Sequence, residues 1–218
     1  MTKTISIIAA LLVLLALGRT AHAMGPDELA DRLQASYDRT SDMTADFRQV
    51  SEVQSMQIVK EGSGRLVIKK PGRLRYTYAR PDRLEILVNG DELLVYMPES
   101  KQAMKRKLER AMLDKTPSTF LAGLGKITDS FKPGVPEAGP RDGDGNHLLL
   151  LTPKTGGMGV KYVMLTIRPG TYDILGFSFT DSSGNTNAIR LSNIKVNKGV
   201  KDSAFKLELP KGTKLITE

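Results

Sequence analysis

Between Gly62 and Met97 the chain reads GSGRLVIKKPGRLRYTYARPDRLEILVNGDELLVYM, with apolar side chains returning at every second position between closely spaced turn signals. A period of two sends alternate side chains to opposite faces of an extended chain. The stretch is therefore expected to form several short antiparallel strands sharing one apolar face. Leu66 and Ile68 share a face after a turn at Gly62-Ser63-Gly64. Leu74, Tyr76 and Tyr78 alternate with Arg73, Arg75 and Thr77. Leu93, Val95 and Met97 alternate beyond Asn89-Gly90, a two-residue hairpin signal. Pro71-Gly72 and Pro81-Asp82 supply further turns.

The flanks extend the pattern. Gly25 to Asp38 predicts a helix, with Pro26 in the first turn, Asp27 and Glu28 complementing the N-terminal dipole, and Leu29, Leu33 and Tyr37 forming an apolar stripe. Met43 to Val53 predicts a first strand carrying Phe47, and Gln102 to Leu108 a basic one. Thr116-Pro117 opens a short helix through about Leu124, with Phe120 and Leu121 on its apolar side. A Pro/Gly/Asp-rich link, Lys132 to Asn146, precedes strands at His147–Thr152, Val160–Arg168, Ile174–Asp181, Thr186–Asn197 and Phe205–Leu209. About ten or eleven antiparallel strands with two helical pieces predict a mainly β fold, and a sheet of that many strands curls.

Ile5 to Leu17 is an apolar run too short to span a membrane, preceded by Lys3 and followed by Ala21-His22-Ala23. That is the pattern of a secretory leader cleaved before Met24. Residues 1–23 are thus expected to be a signal peptide and residues 24–218 a single domain in the periplasm. The chain has no cysteine, so its stability does not rest on disulfides. The formal net charge of +8 suits an acidic partner or anionic headgroups, and no nucleic-acid motif accompanies it.

Reactive chemistry is sparse. Beyond the leader only His147 could serve as a histidine ligand or base, and no G-x-S-x-G nucleophile motif lies near it. Asp142 and Asp144 sit in GPRDGDGN, which lacks the remaining positions of a calcium loop and reads as a solvated turn. The basic run Lys101, Lys105, Arg106, Lys107 and Arg110 reads as a solvated strand or a docking patch. Met97, Met104 and Met112 read as scattered apolar positions or as an adaptable surface. An apolar face without reactive groups suits binding rather than catalysis, and neither an enzyme, a metal nor a cofactor is expected.

Several segments, in order, resemble the LolA family of periplasmic lipoprotein carriers. They are MTADFRQ (43–49), GRLVIKKPGRLRY (64–76), EILVNG (85–90) with LVY (94–96), Thr116-Pro117, LSNIKVN (191–197) and FKLELP (205–210) with Gly212. The resemblance implies an unclosed antiparallel β-barrel of about eleven strands covered by short helices, acting as a monomer. It implies a cavity for the acyl chains of lipoproteins. The cavity candidates are Phe47, Leu66, Ile68, Leu74, Tyr76, Tyr78, Leu93, Val95, Met97, Leu165, Ile167, Phe177 and Phe179. Leu33, Phe120 and Leu121 are the lid candidates. It implies partners too: acylated lipoproteins, an inner-membrane ABC-type release complex and an outer-membrane lipoprotein receptor. Lys70 stands where the family commonly has an arginine that ties the lid, and the chain has no tryptophan. A carrier of another lipid or glycolipid, or a lipoprotein-sensing regulatory module, would share the fold.

Overall fold

The computed structural model describes residues 24–108, 126–155 and 159–217. Residues 1–23, Arg110, Met112, Thr116-Pro117, Phe120 and Leu121 lie outside these residues.

One helix opens the described chain, α1 (Pro26–Asp38). Then come β1 (Asp42–Val53), β2 (Ile58–Lys69), β3 (Arg73–Arg80), β4 (Leu84–Asn89), β5 (Glu92–Met97) and β6 (Gln102–Lys107). A single helical turn, α2 (Ile127–Ser130), leads into β7 (Phe131–Gly134), β8 (His147–Pro153), β9 (Val160–Ile167), β10 (Ile174–Asp181), β11 (Thr186–Val196) and β12 (Lys214–Thr217). Among the described residues the sheet has twelve strands in the order β12-β6-β5-β4-β3-β2-β1-β11-β10-β9-β8-β7. The two edges, β7 and β12, are not paired with each other, so the sheet is unclosed. Every pair is antiparallel except β12 with β6.

Gly62-Ser63-Gly64 is no turn; it runs straight through β2, and the chain reverses earlier, in a 3₁₀ turn at Gln54–Met56. The glycines there answer close approach. A Cβ on Gly64 would fall 2.0 Å from the Thr77 carbonyl oxygen, and one on Gly62 would lie 3.3 Å from the Tyr78 ring. Phe205 to Leu209 is no strand either. Asp202–Phe205 forms a 3₁₀ turn, and the last strand comes after Pro210, at Lys214–Thr217. The link from Lys132 contains most of β7. The hairpin after β4 closes with Asn89 paired to Glu92, so its two loop residues are Gly90-Asp91.

The register places one set of residues on the concave face, because directly opposed residues of an antiparallel pair share a face. From β4 outward to β8 the rows read Ile86–Tyr76–Leu66–Ala45 and then Phe47–Leu191, Ile189–Phe177–Leu165–Leu149. Helix α1 lies against this face. Its Leu29, Ala30 and Leu33 are fully buried in the same cluster as Phe47, Leu66, Leu74, Leu149 and Leu165.

Convex-face packing is smaller and local. The chain after β11 returns over β3–β5, burying Phe205. It is pinned by Asp202 to Lys69 at 2.5 Å and to Arg73 at 2.7 Å, and by the Arg75 guanidinium donating to the Ala204 carbonyl at 2.9 Å.

Candidate lipid-binding face

Aromatic side chains mark the centre of the concave face. Phe47 on β1 and Tyr78 on β3 stand either side of Gly64 on β2, to which each is paired. The two rings meet across the strand at 4.8 Å between centroids, edge to face. Tyr76 adds a second edge contact with Phe47 at 5.3 Å. Such pairs contribute about 0.5–1.5 kcal/mol beyond burial of their area. The Tyr78 hydroxyl donates to Gln49 Oε1 at 2.6 Å, and burial pushes its pKa up. The rim of the aromatic cluster is therefore polar while its body is apolar.

Of the residues singled out in the sequence, Phe47, Leu66, Ile68, Leu74, Tyr76, Leu165, Ile167 and Phe177 are buried in one cluster. Tyr78 and Phe179 are half-buried against it. Leu93 and Val95 pair with Val88 and Ile86, which places them on the same face, and both are half-buried; Met97 is exposed. Ile86 and Val88 also pack on the cluster and were missed, although the alternation of β4 with its neighbours carries them. Met43, Ala45, Leu149, Leu151, Val163, Ile189 and Leu191 complete the buried face.

Polar ties at its ends and along its length hold α1 on this face. The Ser36 hydroxyl donates to the Thr171 carbonyl at 2.8 Å. Arg32 donates to the Tyr172 hydroxyl at 3.2 Å and to Glu28 at 2.8 Å. Gln34 Oε1 accepts from the Ile127 backbone N–H at 3.1 Å. At the C-terminal end, the Lys70 ammonium donates to the Tyr37 carbonyl and lies 3.5 Å from the centroid of the Tyr37 ring. A cation there meets both the negative end of the helix dipole and an aromatic face. Burial pushes the Lys70 pKa down, and the Asp38 carboxylate pulls it partly back up. Where the sheet meets the underside of α1, beside Leu33, Tyr37, Met43 and Ile174, a space of only about 30 Å³ remains.

Other groups singled out in the sequence serve elsewhere. His147 is buried at the start of β8, stacked 6.3 Å from Tyr172. Asp142 accepts from the backbone N–H groups of Asp144 and Asn146 and from the Asn146 side chain, so its oxygens close their own loop. Asp181 repeats this arrangement with Ser183 and Asn185. The basic run does not form one patch. Pairing puts Arg106 opposite Leu93 on the concave side and Lys105 opposite Leu94 on the convex side, where it also pairs with Glu92 at 2.8 Å. Among the described residues no group of histidines, cysteines and carboxylates could hold a metal ion.

The family model described as "Outer membrane lipoprotein carrier protein LolA" matches residues 38–208. The chain belongs to the LolA family. Curated relatives named outer-membrane lipoprotein carrier protein include one from Dechloromonas aromatica, 29% identical over 198 residues, covering 91% of this chain and 90% of the relative. Another, from Pseudomonas fluorescens, is 30% identical over 200 residues, covering 91% and 92%. Among solved structures, a conserved protein from Thermus thermophilus aligns with a TM-score of 0.57 at 13% identity, covering 88% of this chain and 98% of that one. That likeness supports the fold alone.

Proposed function

We propose that this protein carries lipoproteins through the periplasm, holding their acyl chains against the concave face of the sheet, from an inner-membrane ABC-type release complex to an outer-membrane lipoprotein receptor. Membership of a family of lipoprotein carriers supports the reading. The observation that carries it is the continuous apolar face running from β4 through β1 to β8, covered by a helix that buries its own apolar stripe there; in this reading the helix is the occupant that cargo displaces. The role is that of a carrier and not of an enzyme. Among the described residues no helix is long and apolar enough to cross a membrane, and residues 1–23 are assigned to a cleaved leader.

An acyl chain gains roughly 0.8 kcal/mol for each methylene taken out of water. The empty carrier regains much of this by seating α1 over the same surface, so net affinity is a difference between two burials. Release then needs no nucleotide hydrolysis by the carrier itself. Phe47, Leu66, Leu74, Tyr76 and Tyr78 are assigned to the acyl contact, Leu33 to the lid and Lys70 to its tie. Native mass spectrometry of the protein purified from its own host tests the cargo. Triacylated lipoprotein in the complex, together with retention of lipoproteins in the inner membrane when the protein is depleted, is the expected outcome. A free phospholipid or glycolipid as sole cargo, with lipoprotein sorting unchanged on depletion, refutes it.

A further inference from the structure

The β1–β2 hairpin overhangs its neighbour. Ser63 is the last residue of β2 paired with β3, so Ile58–Gly62 pair only with β1. At about 3.3 Å per residue the overhang is roughly 16 Å. Its tip is apolar and exposed: Met56 is 66% exposed, Val59 60% and Ile58 40%. No acidic residue lies between Val53 and Lys60. The tip is nonetheless braced, because the Gln54 backbone N–H donates to Asn185 Oδ1 in the β10–β11 turn at 3.1 Å.

The apolar groups are distributed around the hairpin rather than along one side. Ile58 pairs with Val53 on the concave side, Val59 pairs with Glu52 on the convex side, and Met56 stands at the apex. A protein groove or a second sheet would cover one side and leave the other in water. Immersion in an apolar layer covers both sides and the apex together. The same rim presents exposed Lys60, Arg80, Arg83, Lys101 and Lys154 against exposed Glu52, Asp82 and Glu99. Asp181, also on this rim, accepts hydrogen bonds from its own turn, which lower its pKa and keep it ionised, so it counts with the acidic groups. Glu61, in the overhang itself, is paired with Arg48 at 2.8 Å, so five basic groups against four acidic ones leave one net positive charge around the apolar tip, compatible with a bilayer that carries anionic headgroups.

We infer that the β1–β2 tip is a membrane-contact element, dipping Met56, Ile58 and Val59 into the headgroup boundary of an anionic bilayer. The inference deepens the carrier reading, since it orients the carrier at the membrane where cargo is exchanged.

The chain contains no tryptophan, so Met56→Trp places a single indole reporter at the tip. Vesicles of phosphatidylethanolamine and phosphatidylglycerol are the probe, and Val135→Trp, at an exposed position beyond β7, is the control. Expected are a blue shift of Met56→Trp emission on adding vesicles, quenching by brominated acyl chains, and no change for Val135→Trp. Ile58→Ser with Val59→Ser in the Met56→Trp background is expected to weaken vesicle affinity about tenfold. No shift at the tip, or an equal shift at both sites, overturns the proposal. So does a shift that appears with the detergent-solubilised release complex but never with vesicles, which would make the tip a protein contact. Binding of a fluorescent fatty acid to the same variants separates the two readings. Acyl binding without a tip shift sinks the membrane contact and leaves the carrier standing, and a tip shift without acyl binding does the reverse.

Discussion

Replacing Lys70 with methionine should loosen α1 while leaving the sheet intact. The ammonium makes a charged hydrogen bond to the Tyr37 carbonyl and stacks on its ring. A hydrogen bond involving a charged group contributes about 1.5–3 kcal/mol. A cation over an aromatic ring adds about 0.5–1 kcal/mol at a part-exposed site. Against these stands the cost of drawing the ammonium partly out of water, visible in its lowered pKa. Methionine keeps most of the stem's packing and escapes that cost. A net loss of about 1.4–2 kcal/mol follows, roughly a ten- to thirtyfold rise in the population with α1 lifted. Native-state hydrogen exchange reads this directly, because local opening sets the exchange of the helix amides. Amides of Leu33 to Tyr37 should exchange ten- to thirtyfold faster in Lys70→Met, with those of Phe47 and Leu165 unchanged. Lys70→Arg should restore protection, since guanidinium retains the charge and adds donors in a planar fork. Unchanged α1 protection in Lys70→Met would show that burial of Leu29 and Leu33 alone seats the helix. Equal acceleration across the sheet would show that Lys70 supports the fold and not the lid.

Two further substitutions test the fold that positions this face. Gly64→Ala should lower stability by about 1–3 kcal/mol through overpacking, shifting the melting temperature by about 3–10 °C, whereas Gly62→Ala should cost less; a larger loss at Gly62 would contradict the close approach of Thr77 to Gly64. His147 titrates below its ordinary value of 6.5, because burial and then the Arg141 charge disfavour the imidazolium. Its contribution is therefore fully present above pH 6.5 and is lost as the pH falls through the lowered folded value. Thermal melts should show the parent losing stability on acidification below pH 6.5 more steeply than His147→Gln, and parallel profiles would remove His147 from the effect.

Period-two alternation made most of the concave face legible. Leu66, Leu74, Tyr76 and Leu93 fall on one side because the pleat leaves them no choice once their strands pair in this register. The same logic broke down wherever a glycine served packing rather than reversal. Gly62 and Gly64 look like a turn in the sequence, yet they stay in the strand, where the β3 backbone at Thr77 leaves no room for a Cβ on Gly64 and the Tyr78 ring little room for one on Gly62. The C-terminal segment failed for a different reason. Phe205, Leu207 and Leu209 alternate like a strand, but Phe205 is buried by tertiary contact with β3 and β4, and Asp202 is held by Lys69 and Arg73. No local pattern announces a segment that packs across a sheet instead of pairing with it. The parallel pairing of β12 with β6 was equally hidden, since it depends on where that crossover delivers the chain.

The placement of the polar ties bears on how such a face can be reused. The hydrogen bonds to Thr171, Tyr172 and Ile127 and the contact with Lys70 all join α1 to loops, to a strand end or to the start of α2. None of these ties involves a strand-to-strand hydrogen bond of the sheet. Lifting the helix therefore breaks about one net kcal/mol per neutral tie and exposes the stripe of Leu29 and Leu33, while the strands keep their pairing. A saturated chain of more than about a dozen methylenes, at roughly 0.8 kcal/mol each, offers burial on the scale of what the helix gives up. In the proposed reading the two occupants are then close enough in free energy for contacts at either membrane to tip the exchange. A lid anchored into the sheet by a buried salt bridge or a shared strand would hold the empty carrier shut against the cargo it is meant to accept.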